Sequence, residues 1–171
     1  MNFRQVHLDF HTSGLIPNVG GNFDKEQFKT ALTVGHVNSI TLFAKCHHGW
    51  AYYPSKVNEM NEGLNGFDLL GAQLEACKEI GVNAPVYLSA GFDEKEAVRH
   101  PEWQLFNKDG TTAGGGFANK ATWHLLCYNT AYLEHLLSEI EEVMQMYNPS
   151  GIFLDIYCSD MLLYKLPCEN A

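Results

Sequence analysis

The sequence predicts an α/β fold of the (β/α)-barrel type in which only the first four β/α units are present, a half barrel forming one domain over residues 1–171. Three observations predict it. Strand-like and helix-like segments alternate, which calls for parallel pairing with right-handed crossovers. The segments joining a helix to the next strand are short, whereas those that follow strands are long and rich in His, Trp, Gly and Asp, and long loops at strand carboxyl ends are how a barrel builds one active face. No Gly-x-Gly-x-x-Gly follows the first strand, which argues against a doubly wound dinucleotide fold. A complete barrel takes about 250 residues and eight strands. Here 171 residues show four strands.

Val6 to His11 alternates and reads as the first strand. Phe23 to Val34 is a helix with Asp24 as N-cap and Gly35 at its end. Ser39-Ile40-Thr41-Leu42-Phe43-Ala44 is an apolar run, hence a buried strand over Ile40 to Ala44. After a long loop, Phe67 to Ile80 carries Leu70, Leu74, Cys77 and Ile80 on one helical face, with Gly81 just beyond it. Pro85 to Ser89 is the third strand. A second long loop runs from Gly91 to about Ala121, with turn signals at Asn107-Lys108-Asp109-Gly110 and a flexible Gly114-Gly115-Gly116 cluster. Asp93-Glu94 starts a short helix within it. Thr130 to Tyr147 is the longest helix, and Ile152 to Tyr157 the fourth strand. The tail from Cys158 to Ala171 shows no element.

Composition narrows the function classes. The net charge of −9, without any basic run, disfavours nucleic acid and anionic membranes as partners. The first residues lack the apolar core of a signal peptide, and no apolar stretch approaches the roughly 20 residues of a membrane span. Five cysteines, at 46, 77, 127, 158 and 168, form no Cys-x-x-Cys. They read as reduced, mostly buried thiols of a cytoplasmic protein, with Cys158 and Cys168 as a weak metal or disulfide pair. No cofactor or metal is expected.

The chemistry concentrates at strand ends. Lys45-Cys46-His47-His48-Gly49-Trp50 follows the second strand. Two imidazoles and a cation offer donors and acceptors for hydroxyls, and an indole offers a flat apolar face, a combination that suits a sugar ring. Asp155 lies in an apolar strand and must face a polar cavity or a partner, because an unpaired buried charge is costly. At the end of a barrel strand it would point into the pocket; otherwise it caps the next turn. His7, Asp9 and His11 alternate and so share one strand face, which suggests a wet cavity or, alternatively, a metal site. Trp103 either walls a sugar site or anchors its loop.

These segments resemble those of a known family. Ala44-Lys45-Cys46-His47-His48-Gly49-Trp50, followed by Tyr53-Pro54-Ser55, resembles the Lys-His-His-Asp-Gly-Phe segment of α-L-fucosidases. The likeness is closest to a divergent, hypothetical glycosyl-hydrolase-like branch, and the segments from His7 to Thr12 and from Gly151 to Asp155 are similar to that branch too. The resemblance implies a retaining glycosidase on a TIM barrel, with Asp155 as the nucleophile. It implies that His11, His47 and His48 bind sugar hydroxyls, and Trp50 and Trp103 would shape the pocket. The sequence departs from the family at Cys46, inserted before the histidines, and at the missing Asp of His-His-Asp-Gly. By this resemblance the acid/base carboxylate lies beyond Ala171. The isolated chain is therefore expected to be a truncated, weakly active form that dimerises or joins the remainder of the barrel. A non-catalytic carbohydrate-binding remnant and a metal-dependent hydrolase using His7, Asp9 and His11 are the alternatives.

Overall fold

A computed structural model describes residues 3–107, 109–113, 115–117 and 121–157. Four strands, β1 (Gln5–His7), β2 (Ser39–Lys45), β3 (Val86–Ser89) and β6 (Ile152–Asp155), lie side by side in sequence order and are all parallel. Between them run α1 (Lys25–Val34), α2 (Leu69–Glu79), a short α3 (Glu94–Arg99) and α4 (Tyr132–Tyr147). The sheet is thus half of a (β/α) barrel, as the alternation of elements predicts. Within the long loop after β3, β4 (Gly115–Phe117) and β5 (Ala121–Thr122) add a small antiparallel ladder. Among the described residues, no helix is long and apolar enough to cross a membrane.

Local chemistry explains the helix starts. The Asp24 and Asp68 carboxylates accept from Gln27 N and Gly71 N, capping α1 and α2. At the other end of α4, Asn148 adopts a left-handed φ of 45°, and its N–H bonds the Met144 carbonyl. Two faces of the sheet then separate by alternation. Ile40, Leu42, Ala44, Val86 and Leu88 pack outward against Leu32, Leu70, Cys77 and Val143. The inner face carries rings. His7, Phe43, Tyr87 and Phe153 stand across the four strands, with centroids 5.5, 3.9 and 5.9 Å apart in turn.

Two expectations need correction. The first strand ends at His7, not His11. Beyond it the backbone leaves the sheet and meets the Tyr52 hydroxyl, which accepts from Thr12 N at 3.0 Å and lies 3.1 Å from the Phe10 carbonyl. The cysteines are not all reduced. Cys46 and Cys77 are buried free thiols, but Cys127 is disulfide-bonded. Pairing depends on spatial proximity, which scattered spacing does not encode. The Cys158 and Cys168 expectation lies outside the described residues.

Candidate sugar-binding and catalytic site at the strand ends

The site begins with an irregularity in β2. Phe43 pairs with Tyr87, yet Lys45, two residues on, pairs with Leu88, the very next residue of β3. This bulge breaks the alternation. It turns Lys45 to the helix side of the sheet, where the ammonium lies 2.8 Å from Asp93 Oδ2 and 2.5 Å from Glu139 Oε2 of α4. All three groups are buried to within 1%. Burial opposes the lysine charge, but Asp93 and Glu139 outweigh it and hold its pKa well above the usual value. Lys45 is therefore not a hydroxyl-binding cation in the pocket, contrary to the reading of the motif. Oxygen or nitrogen atoms of Asp93, His135 and Glu139 approach within 4.8 Å, as a metal site would require. The Lys45 ammonium is itself the cation bound to both of those carboxylates.

The next residues turn the other way. His47 Nδ1 lies 2.7 Å from Ser89 Oγ, and that hydroxyl donates its single proton to the Phe92 carbonyl at 2.6 Å. Nδ1 must therefore carry the proton, which leaves Nε2 as the ring's acceptor. The His47 ring packs on His11 at 4.3 Å and on Phe92 at 5.1 Å. Burial, then the neighbouring His11, push the His47 pKa down to about 4. Burial also lowers His11, against the pull of Asp9, and lowers His48. Three neutral imidazoles at pH 7 give a hydroxyl-bearing ligand both donors and acceptors.

Asp155 closes β6 in register with Ser89, the residue that holds His47. The Tyr87 hydroxyl donates to Asp155 Oδ2 at 2.7 Å, and Ile156 N–H donates to Oδ1 at 2.9 Å. Burial, followed by Asp155 itself, drives the Tyr87 pKa upward, so the phenol stays a donor. The charge of Asp155 is felt by both His11 and His47. Ile156 sits at φ 55°, a left-handed conformation that is strained for a β-branched residue.

The other expected residues divide. Asp9 Oδ1 lies 3.1 Å from His7 Nε2 and 3.8 Å from His11 Nε2, so the three side chains do meet. The carboxylate bridges two imidazoles there. Trp50 borders the site beside His48. Trp103 does not join it; the indole stacks flat on His100 at 3.8 Å and packs against Tyr132 and His135 beside α4. Trp123 takes its place, standing edge-on to His47 at 5.6 Å and to His48 at 4.6 Å. Neighbouring His124 bonds Glu94 through Nδ1 at 2.9 Å. Tyr87 and Ser89 were legible as alternate residues of one strand. Trp123 and His124 lie in an irregular loop without a periodic signal.

Residues 24–156 match the family described as hypothetical glycosyl hydrolase 6. The chain belongs to that family. This family member also resembles α-L-fucosidase isoenzyme 2 from Paenibacillus thiaminolyticus, at 51% identity and TM-score 0.86 over 91% of its own length. It spans only 24% of that enzyme. A Thermotoga maritima α-fucosidase in complex with a mechanism-based inhibitor matches 78% of this chain at 17% identity and TM-score 0.55, a likeness of fold alone. A hypothetical protein from Ruminiclostridium thermocellum does so at 15% and 0.62, with 88% of this chain and 75% of its own covered. No curated protein matches.

Proposed function

We propose that this glycosyl hydrolase family member carries the nucleophile and the hydroxyl-binding groups of an α-L-fucosidase-like, retaining reaction on a carbohydrate substrate. Asp155 attacks the anomeric carbon as the glycosidic C–O bond breaks and the leaving alcohol departs with a proton from a general acid; the glycosyl ester so formed is later cleaved by water, which releases the sugar and frees the carboxylate. His11, His47 and His48 bind the sugar hydroxyls, and Trp123 and Trp50 wall the pocket. The observation that carries the reading is the Asp155 carboxylate, oriented by the Tyr87 hydroxyl and by Ile156 N–H on the same strand-end face as His47. A nucleophile needs such orientation, because a misplaced oxygen loses most of the benefit of proximity.

The test isolates the first step. 2-Deoxy-2-fluoro-α-L-fucosyl fluoride has a leaving group that needs no proton donor, so it probes the nucleophile alone. Peptide mass spectrometry is expected to find the fluorofucosyl adduct on Asp155, and Asp155→Asn to abolish it. An adduct elsewhere, or none, removes Asp155 from the mechanism.

A further inference from the structure

Strand β3 sends two hydroxyls to the site. Tyr87 donates to Asp155. Two residues on, and so on the same strand face, Ser89 Oγ lies between His47 Nδ1 at 2.7 Å and the Phe92 carbonyl at 2.6 Å. We infer that Ser89 is the positioning residue that fixes the tautomer of His47, and that the ligand oxygen meeting His47 Nε2 must therefore be a hydroxyl that gives a proton. The tautomer belongs to the protein alone; the demand on the ligand rests on the fucosidase-like reading above.

A serine hydroxyl has one proton, and a carbonyl can only accept. The proton between Ser89 and Phe92 therefore belongs to Ser89. The Phe92 carbonyl has no other donor among the described residues, so turning the hydroxyl toward His47 would leave that carbonyl unsatisfied. Ser89 is fully buried, which keeps water from standing in for either partner. The hydroxyl thus meets His47 only as an acceptor, and Nδ1 must supply the hydrogen. A neutral imidazole has a single N–H, and His47, its pKa pushed down to about 4 by burial, is neutral at pH 7. Nε2 is left as a bare acceptor, and it makes no hydrogen bond among the described residues.

The surrounding rings hold this orientation. His11 packs on the His47 ring at 4.3 Å, and Phe92 and Trp123 stand edge-on to it at 5.1 and 5.6 Å, so a flip that exchanges the two nitrogens is opposed on several sides. The result is a one-way relay: ligand O–H to Nε2, Nδ1–H to Ser89, Ser89 O–H to the Phe92 carbonyl. His48 lacks such a lock. Its ring stands against Trp123 and makes no side-chain hydrogen bond among the described residues, so it can take either tautomer and meet an oxygen that donates or one that accepts. Of the two adjacent histidines, the first selects and the second tolerates.

Nitrogen NMR of the isotope-labelled chain at pH 7 reads the tautomer, with the His47 signals assigned by their loss in His47→Gln. Nδ1 is expected at the proton-bearing position and Nε2 at the bare one. In Ser89→Ala the two signals are expected to move toward each other, and in Ser89→Thr, which returns a hydroxyl, to separate again. Calorimetric titration then compares methyl α-L-fucopyranoside with its 2-, 3- and 4-deoxyfluoro analogues, in which fluorine has no proton to give. One analogue is expected to bind about tenfold more weakly than the parent. In Ser89→Ala that gap narrows severalfold while the other two ratios hold; a merely structural role would weaken all four ligands alike. A bare Nδ1 in the wild type, or signals unmoved by Ser89→Ala, overturns Ser89 as the positioning residue. Three analogues that all bind as well as the parent overturn the demand for a donor and leave the fucoside reading standing. No binding of the parent overturns that reading, and the demand falls with it, while the nitrogen signals still decide the role of Ser89.

Discussion

Two polar clusters lie within a few residues of each other and solve opposite problems. Behind the sheet, Lys45, Asp93 and Glu139 are sealed from water and answer one another's charges. In front, His11, His47 and His48 are only partly buried and stay neutral. One hexapeptide feeds both clusters, because the bulge before Lys45 sends that residue backward and lets His47 face Ser89. The ion-pair cluster can therefore be read as scaffold, and the imidazole cluster as a surface with hydrogen-bonding capacity to offer a ligand.

The largest test removes the scaffold. Lys45→Met leaves Asp93 and Glu139 buried without their cation, and about 3–5 kcal/mol of stability should go with it, measured by urea unfolding. A loss below about 1 kcal/mol would mean that water reaches the cluster. His47→Ala acts on the other side. It should weaken fucose binding by about 1 kcal/mol, roughly fivefold in Kd, while costing less stability than Lys45→Met. If the two variants show the same stability loss, the division between clusters fails.

Acidity separates them too. In the unfolded chain His47 protonates near 6.5, whereas in the fold it does so at about 4. Between those values the unfolded state holds more protons, so stability falls as pH drops through that window and levels off below it. His11 and His48, also lowered, add to the same slope. Thermal melts from pH 7.5 to 3.5 measure it, and His47→Gln should flatten part of it. The smallest effect is expected from Trp123→Leu, which removes two edge-on ring contacts and should weaken sugar binding by about 1 kcal/mol or less.

Much of this was legible in the sequence. The loop asymmetry and the alternation of elements specified a half barrel, and the register pair Ser89 and Asp155 lies at strand ends that periodicity located. The His11 and His47 rings pack at 4.3 Å and both feel the charge of Asp155, while His48 stands against Trp123. What sequence could not carry was geometry that depends on a single backbone step. The bulge reverses Lys45 without any change in composition. Trp103 and Trp123 are both loop tryptophans, and only packing decides that the first anchors on His100 while the second stands over the imidazoles. The short β1 escaped notice because Tyr52, 40 residues from Thr12, captures the backbone that would have extended it.

One junction sets how tolerant the site is to change. The Ile156 carbonyl, carried inward by that residue's left-handed turn, comes to 2.2 Å from the place a Cβ on Gly91 would occupy. The obstacle is main chain and cannot rotate aside. The loop leaving β3 and the loop leaving β6 are thereby keyed together like a tongue in a slot. A methyl group at residue 91 would wedge them apart and swing the Asp155 carboxylate away from Tyr87, silencing the site from a position that touches no ligand.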